Sequence, residues 1–303
     1  MARQVQFDRF GDASVLTVRE VAEPQAAAGQ VRVRVRAAGL NPFEHKVFSG
    51  AAASASLPLP SGNGNDFAGT VDQVGQGVTN FVVGDEVFGG ARWAQADFLV
   101  VDPASLHKRP EALPVEQAGA LDIAGRTAWA GVAAVAPKPG DTVLVGGAAG
   151  GVGILTAQLA AHAGARVLGT ASEANHAFLR SLGIAPVLYG EGLVDRVREL
   201  APEGITAALD AHGCEVVDAA LALGVSPTRI NAIANRAAVA ELGILGLGAS
   251  GASFDDLDAL AKLIANGEVV LPIDSSYPLD DVRSAYERLM GGHVRGKVVL
   301  LTE

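Results

Sequence analysis

The stretch Pro139–Gly164, PGDTVLVGGAAGGVGILTAQLAAHAG, decides the fold. It reads as turn, buried strand, glycine-rich turn and helix. Thr142–Val145 is β-branched and apolar, as a strand covered on both faces should be. Gly146–Gly153 then permits positive φ and close backbone approach. Ile154–His162 follows with apolar residues at helical spacing. A strand entering a helix through such a turn aims unpaired N–H groups and the helix dipole at one point. That point suits a pyrophosphate. Gly/Ala-rich turns also form simply to pack a helix on a strand, and it is the placement between strand and helix that favours the dinucleotide reading.

Downstream the alternation continues. Strands are expected at Arg166–Thr170, Pro186–Leu188, Ala207–Asp210, Arg229–Ile233 and Glu241–Leu245. Helices are expected at Gly153–Ala163, Glu173–Leu182, Leu193–Leu200, Glu215–Leu223 and Phe254–Asn266. Such βα alternation predicts an α/β fold with a doubly wound parallel sheet. After Pro272 a helix at Leu279–Met290 and a strand at Lys297–Leu301 complete the chain. Upstream of Pro114 the texture is β-rich. Arg3–Phe7 and Val15–Val21 read as a hairpin, and Val31–Arg36 alternates as a half-buried strand whose arginines form a solvated face. A short helix at Phe43–Ser49 precedes Gly50–Asn65, read as a mobile surface loop. Short strands at Asp66–Gly75, Val78–Phe81, Val82–Phe88 and Trp93–Val100, separated by glycine turns, predict a small barrel or rolled sheet. Val115–Ala136 reads as helical, broken near Asp122–Gly125.

Composition narrows the function. In 303 residues the net charge is −10, which argues against nucleic acid or an anionic membrane as partner. The single cysteine, Cys214, rules out an intrachain disulfide and a thiolate metal cage, and is expected to be a buried or cleft-edge residue. Charges interrupt the amino-terminal segment too soon for a signal peptide, and Val143–Leu155 is too short to span a bilayer. A cytoplasmic protein is expected.

The chain resembles zinc-free members of the medium-chain dehydrogenase/reductase superfamily, in the quinone oxidoreductase branch. The likeness is carried by Gly39-Leu40-Asn41-Pro42, Lys46 with Ser49-Gly50, Gly64–Val71 and Gly84–Val87. Arg126–Trp129, Pro139–Asp141, Gly146–Gly153 and Gly296–Leu300 extend it over nearly the full length. The resemblance implies a GroES-like β-rich substrate domain from residues 1–122 and 270–303, a Rossmann domain from 123–269, catalysis in the cleft between them, and a homodimer. Zinc-dependent relatives use a cysteine, a Gly-His-Glu segment and a four-cysteine lobe. Here the segment reads Gly64-Asn65-Asp66 and no cysteine precedes Cys214, so no metal site is expected.

The cofactor expected is NADPH, with NADH less favoured. The second strand ends Gly169-Thr170-Ala171-Ser172, lacking the acid that would bind a ribose diol. Ser172 could bond a 2′-phosphate. The resemblance adds Asn175, where relatives often carry a cation, and Tyr189 after the third strand. Glu173 and Ala174 stand where a basic residue would help, which weakens discrimination. Ala148, Gly150, Gly151 and Val152 belong to the phosphate cradle; by resemblance Thr127 touches the nicotinamide ribose or ring, and Asn235 the carboxamide.

Without a metal, an acceptor must be polarised by hydrogen bonds and shape. Asn41 is the candidate substrate-facing donor, or else an Asn-Pro turn former. His45 is a proton source or a surface residue, with Lys46 beside it. Asp66 is expected to bond backbone or Lys46. A charge-neutral cleft lined by Gly50–Pro60 would take a small apolar quinone or α,β-unsaturated carbonyl. Two other functions fit the sequence: an enoyl reductase of a biosynthetic pathway, and a cofactor-binding protein with little turnover.

Overall fold

The computed structural model describes residues 1–52 and 57–302. They form two units, Met1–Ile123 with Pro272–Glu303, and Ala124–Leu271.

The first unit contains β1 (Ala2–Phe7), β2 (Thr17–Val21), β3 (Val31–Gly39), helix α1 (Pro42–Phe48), β4 (Ser61–Gly62), β5 (Asp66–Val74), β6 (Glu86–Gly90), β7 (Phe98–Val101), β8 (Leu106–Lys108) and helix α2 (Val115–Ala118). Helix α3 (Asp122–Val135) starts with the last two residues of the Met1–Ile123 segment and continues into the second unit. That unit contains β9 (Thr142–Gly146), α4 (Gly151–His162), β10 (Arg166–Thr170), α5 (Glu173–Ser181), β11 (Ala185–Val187), α6 (Leu193–Leu200), β12 (Ala207–Asp210), α7 (Glu215–Ala222), β13 (Ile230–Ala232), α8 (Arg236–Leu242) and α9 (Phe254–Ala265). The chain then returns to the first unit as β14 (Ile273–Pro278), α10 (Val282–Met290) and β15 (Lys297–Leu301).

In the first unit β3 is the hub, pairing antiparallel with β15, β5 and β7. Its period of two explains why. Val31, Val33 and Val35 face a core shared with Phe67, Val71 and Val87. The alternate arginines are not merely solvated. Arg32 pairs with Asp72 at 2.9 Å and Glu23 at 2.8 Å, and Arg32 and Arg34 both lie over the Phe98 ring. A second core joins Phe7, Phe48, Tyr286 and Val298.

Three expectations for this unit need correction. Val78–Phe81 forms no strand: Gly77 has φ +89° and turns the chain, and Phe81 reaches the core from a loop. The expected mobile loop is partly built in. Ser61 and Gly62 pair with β1, and Asn63 is buried, donating to Gln95 Oε1 at 2.8 Å and Tyr286 Oη at 2.9 Å. Residues 53–56 of that loop lie outside the described residues. The helical break falls at Gly119–Leu121, ahead of the expected place. There Gly119 packs on β3, where a Cβ would lie 2.6 Å from the Ala37 carbonyl oxygen.

The second unit is a five-stranded sheet in the order β11-β10-β9-β12-β13, parallel throughout. Leu144, Leu168, Ala208 and Ile230 from the strands pack with Val197 and Val217 from α6 and α7. Glu241–Leu245 is not a sixth strand. Asn235 caps α8 by accepting from Ala238 N at 3.1 Å, and the alanine-rich helix runs to Leu242, where Gly243 at φ +65° ends it. Only Leu245 bridges, to Asn231. Among the described residues no helix is long and apolar enough to cross a membrane.

Candidate active site

In the second unit the turn after β9 is held from beneath by Thr170. Its side-chain oxygen accepts from Gly147 N at 3.0 Å and its carbonyl from Ala148 N at 2.9 Å. Gly150 N donates to Gly147 O at 2.9 Å. The turn therefore folds back over the first turn of α4. A Cβ on Gly153 would stand 2.1 Å from that same Gly147 oxygen, so only hydrogen fits. On β10, a Cβ on Gly169 would stand 2.6 Å from Ala148 Cβ. This construction uses the N–H groups of Ala148 and Gly150 within the turn. It leaves those of Gly151, Val152 and Gly153, which by helical geometry have no acceptor inside α4. They point where the helix dipole is positive.

Thr127 on α3 and Val152 and Thr156 on α4 line one recess with Asp210, Asn231 and Ile233. Burial pushes the Asp210 carboxyl up, against the hydrogen bonds it accepts from the backbone of His212 and Gly213. Asn235 lies beyond β13. Its amide donates to Cys214 Sγ at 2.7 Å while its oxygen caps α8, so both ends are engaged locally. Cys214 itself is exposed where it starts α7, so of the buried or cleft-edge places expected of it the buried one does not hold.

Along the other edge, Ser172 starts α5 and Asn175 is buried behind it, its amide 3.4 Å from Ser172 Oγ. Tyr189 is exposed beyond β11.

The first unit holds a different arrangement at the start of α1. Asn41 precedes Pro42 in the extended conformation that a following proline favours. Glu44, 2% exposed, turns back. Its Oε2 accepts from Asn41 N at 2.6 Å and its Oε1 from Asn41 Nδ2 at 3.1 Å and Asn65 Nδ2 at 2.7 Å. Asn41 Nδ2 also donates to Asp66 Oδ2 at 3.0 Å, and Asp66 Oδ1 accepts from Ile123 N at 3.1 Å. Lys297, at the start of β15, closes the group. Its Nζ donates to Asn41 Oδ1 at 2.5 Å and lies 3.5 Å from Asp66 Oδ2. Asp66 is fully buried and Lys297 4% exposed. Burial, and then the Asp66 charge, push Glu44 up to about 7 against the donors that hold its carboxylate.

This cluster bears on two expectations. Every polar atom of the Asn41 amide is used inside the unit, which leaves no donor for a substrate in this conformation. Asp66 does bond backbone, but its ammonium partner is Lys297; Lys46 is exposed on α1. His45 is half-buried with its ring edge-on to Phe48 at 5.2 Å. Sequence reading missed Glu44 and Lys297 as members of the site. The Asn-Pro-x-Glu spacing is a helix-start signal that reveals Glu44, whereas nothing local marks Lys297. Among the described residues no group of three or more His, Cys, Asp or Glu side chains could hold a metal ion.

The profile of the alcohol dehydrogenase GroES-like domain matches residues 27–111, and that of a zinc-binding dehydrogenase domain matches 182–300. The quinone oxidoreductase of Mus musculus is 30% identical over 332 residues, covering 99% of this chain and 98% of that protein. The chain belongs to the quinone oxidoreductase family of medium-chain dehydrogenases/reductases. Solved structures agree. The quinone oxidoreductase of Coxiella burnetii superposes with a TM-score of 0.90 at 31% identity, covering 100% of this chain and 99% of that one. The Escherichia coli quinone oxidoreductase complexed with NADPH gives 0.88 at 25% identity, with 99% of each chain covered. The protein is thus an oxidoreductase with the family's GroES-like and Rossmann folds.

Proposed function

We propose that this quinone oxidoreductase family member is an NADPH-dependent, zinc-independent enzyme that reduces a quinone or an α,β-unsaturated carbonyl. The observation that carries the reading is the bare first turn of α4, packed so closely on Gly147 that Gly153 tolerates no side chain. Such a backbone cradle suits a pyrophosphate. Gly151 and Val152 would hold it, with Ala148 and Gly150 shaping the turn. Thr127 would meet the nicotinamide end, Asn235 the carboxamide, and Ser172, Asn175 and Tyr189 the adenosine end. Bound NADPH would supply the hydride, and the protein supplies position and polarity.

The donor set of the first unit supports zinc independence. Where zinc-dependent relatives have Gly-His-Glu, this chain has Gly64-Asn65-Asp66, and the Lys297 ammonium already sits among the oxygens of Asn41 and Asp66. A second cation there would meet direct repulsion. Asn41 positions the start of α1, and His45 and Lys46 on that helix are the candidate groups to move a proton to reduced substrate. The enzyme is expected to be a cytoplasmic homodimer, the latter checked by light scattering.

Fluorescence titration with NADPH and NADH, followed by stopped-flow reoxidation of bound NADPH across a panel of quinones and enones, tests the proposal. Tighter NADPH binding and rapid reoxidation by uncharged acceptors are expected. Bound NADPH that no acceptor reoxidises would leave a binding protein in place of an enzyme.

A further inference from the structure

One guanidinium organises the whole turn that follows β11. Arg196, in α6, donates from Nε to Leu188 O at 2.9 Å and from Nη1 to Glu191 O at 2.7 Å. Its Nη2 donates to Tyr189 O at 3.2 Å and Gly190 O at 2.9 Å. Four consecutive carbonyls thus converge on one side chain. From the other side, Gly190 N donates to Glu215 Oε1 of α7. The turn needs such a hold. It follows a strand of only three residues and contains Gly190 at φ +90° and Gly192 at φ +80°, positions that confer freedom rather than shape.

The strand register shows what the hold positions. Thr170 pairs with Val187 in parallel, and Ala171 N donates to Val187 O at 3.1 Å. Ser172 and Tyr189 therefore stand equally far, two residues, beyond the ends of neighbouring strands. The first turn of α5 carries Glu173 and His176 but no Lys or Arg. The hydroxyls of Ser172 and Tyr189 are neutral donors, so their hold on a dianionic phosphate would depend on how they are placed. A neutral hydrogen bond is lost when its geometry slips by less than an ångström, whereas a point charge tolerates such a shift.

We propose that Arg196 is the specificity-determining positioning residue of the adenosine end: by clamping residues 188–191 it fixes Tyr189 in register with Ser172, and so sets the preference for a 2′-phosphate. This rests on the NADPH reading above. Arg196 acts through Tyr189 and does not itself need to touch the nucleotide. Its fork is what matters, so lysine cannot replace it.

The test measures dissociation constants of NADPH and NADH, and of 2′,5′-ADP and 5′-ADP as probes of this end alone. The proteins are wild type, Arg196→Met, Arg196→Lys, Tyr189→Ala and the R196M/Y189A double variant. In both Arg196 variants the preference for the 2′-phosphorylated ligand should fall at least tenfold. Affinity for NADH should stay within threefold, a split that general damage to the fold would not give. The double variant should lose no more preference than Y189A alone, because the two residues act in series. Should R196M not fold, R196K carries the comparison. A wild type that discriminates alongside variants that discriminate equally overturns this inference and leaves the cofactor reading standing. A wild type indifferent to the 2′-phosphate overturns both.

Discussion

The two units each gather polar groups away from solvent, and they do so by opposite means. The turn after β9 is built mainly from backbone: Gly147 takes φ +61°, Gly150 N bonds Gly147 O, and Gly153 lies where a side chain would strike that same carbonyl. The centre beside α1 is built from side chains: Asn41, Glu44, Asn65, Asp66 and Lys297 satisfy one another, with two carboxylates set against one ammonium. A backbone site is formed by consecutive residues and keeps its shape if a neighbouring charge changes. A side-chain site is drawn from distant positions and depends on every member, because removing one leaves another buried and unpaired.

That contrast can be broken experimentally, beginning with the largest effect. Lys297→Met leaves Glu44 and Asp66 buried without their ammonium and should destabilise the protein by about 3–5 kcal/mol in urea unfolding. A loss below about 1 kcal/mol would show that the cluster tolerates the missing charge. Gly153→Val drives a side chain into the Gly147 carbonyl, 2.1 Å from where its Cβ would lie. It should weaken NADPH binding a hundredfold or more, about 3 kcal/mol, while near-ultraviolet signals of the first unit persist. Normal binding by this variant would sink the cradle.

Glu44 sharpens the contrast through pH. Its folded value of about 7 lies above the ordinary 4.5, so the folded state binds the proton more tightly than the unfolded chain. The resulting stability is complete below about pH 4.5 and is lost as pH rises through 7. Between pH 5 and 8 the wild type should lose about 2–3 kcal/mol, and Glu44→Gln should flatten that slope. Parallel slopes in the two proteins would place the titration elsewhere. The smallest effect belongs to Thr170→Val, which deletes the acceptor for Gly147 N. It should cost about 1–2 kcal/mol and weaken NADPH severalfold, leaving the pH slope untouched.

The same contrast explains what the sequence made legible. Strand, glycine turn and helix at Thr142–His162 are one contiguous pattern, so the parallel sheet and its cradle could be read directly. Glu241–Leu245 misled because its apolar spacing fits a strand, while the helix cap that overrules it lies upstream at Asn235. Asp66 was visible as a polar residue inside a strand pattern, yet its ammonium partner is 231 positions away on another strand. Of the two partners expected for Asp66, backbone or Lys46, the backbone one is present at Ile123 N, while the ammonium comes from Lys297. Arg196 was equally hidden, since its partners are carbonyls and carry no sequence signature.

The place of Lys297 also bears on the order in which the protein is made. The second unit is continuous, and every strand of its sheet has emerged by residue 232. The first unit cannot be finished then. Its hub strand β3 still lacks β15, and Glu44 and Asp66 still lack their counter-charge. On a ribosome releasing the chain from its amino end, the Rossmann sheet can consolidate while the older, amino-terminal half waits. Addition of β15 then delivers a pairing edge and an ammonium together. The arrival of β15 is thereby coupled to neutralisation of a buried pair of carboxylates.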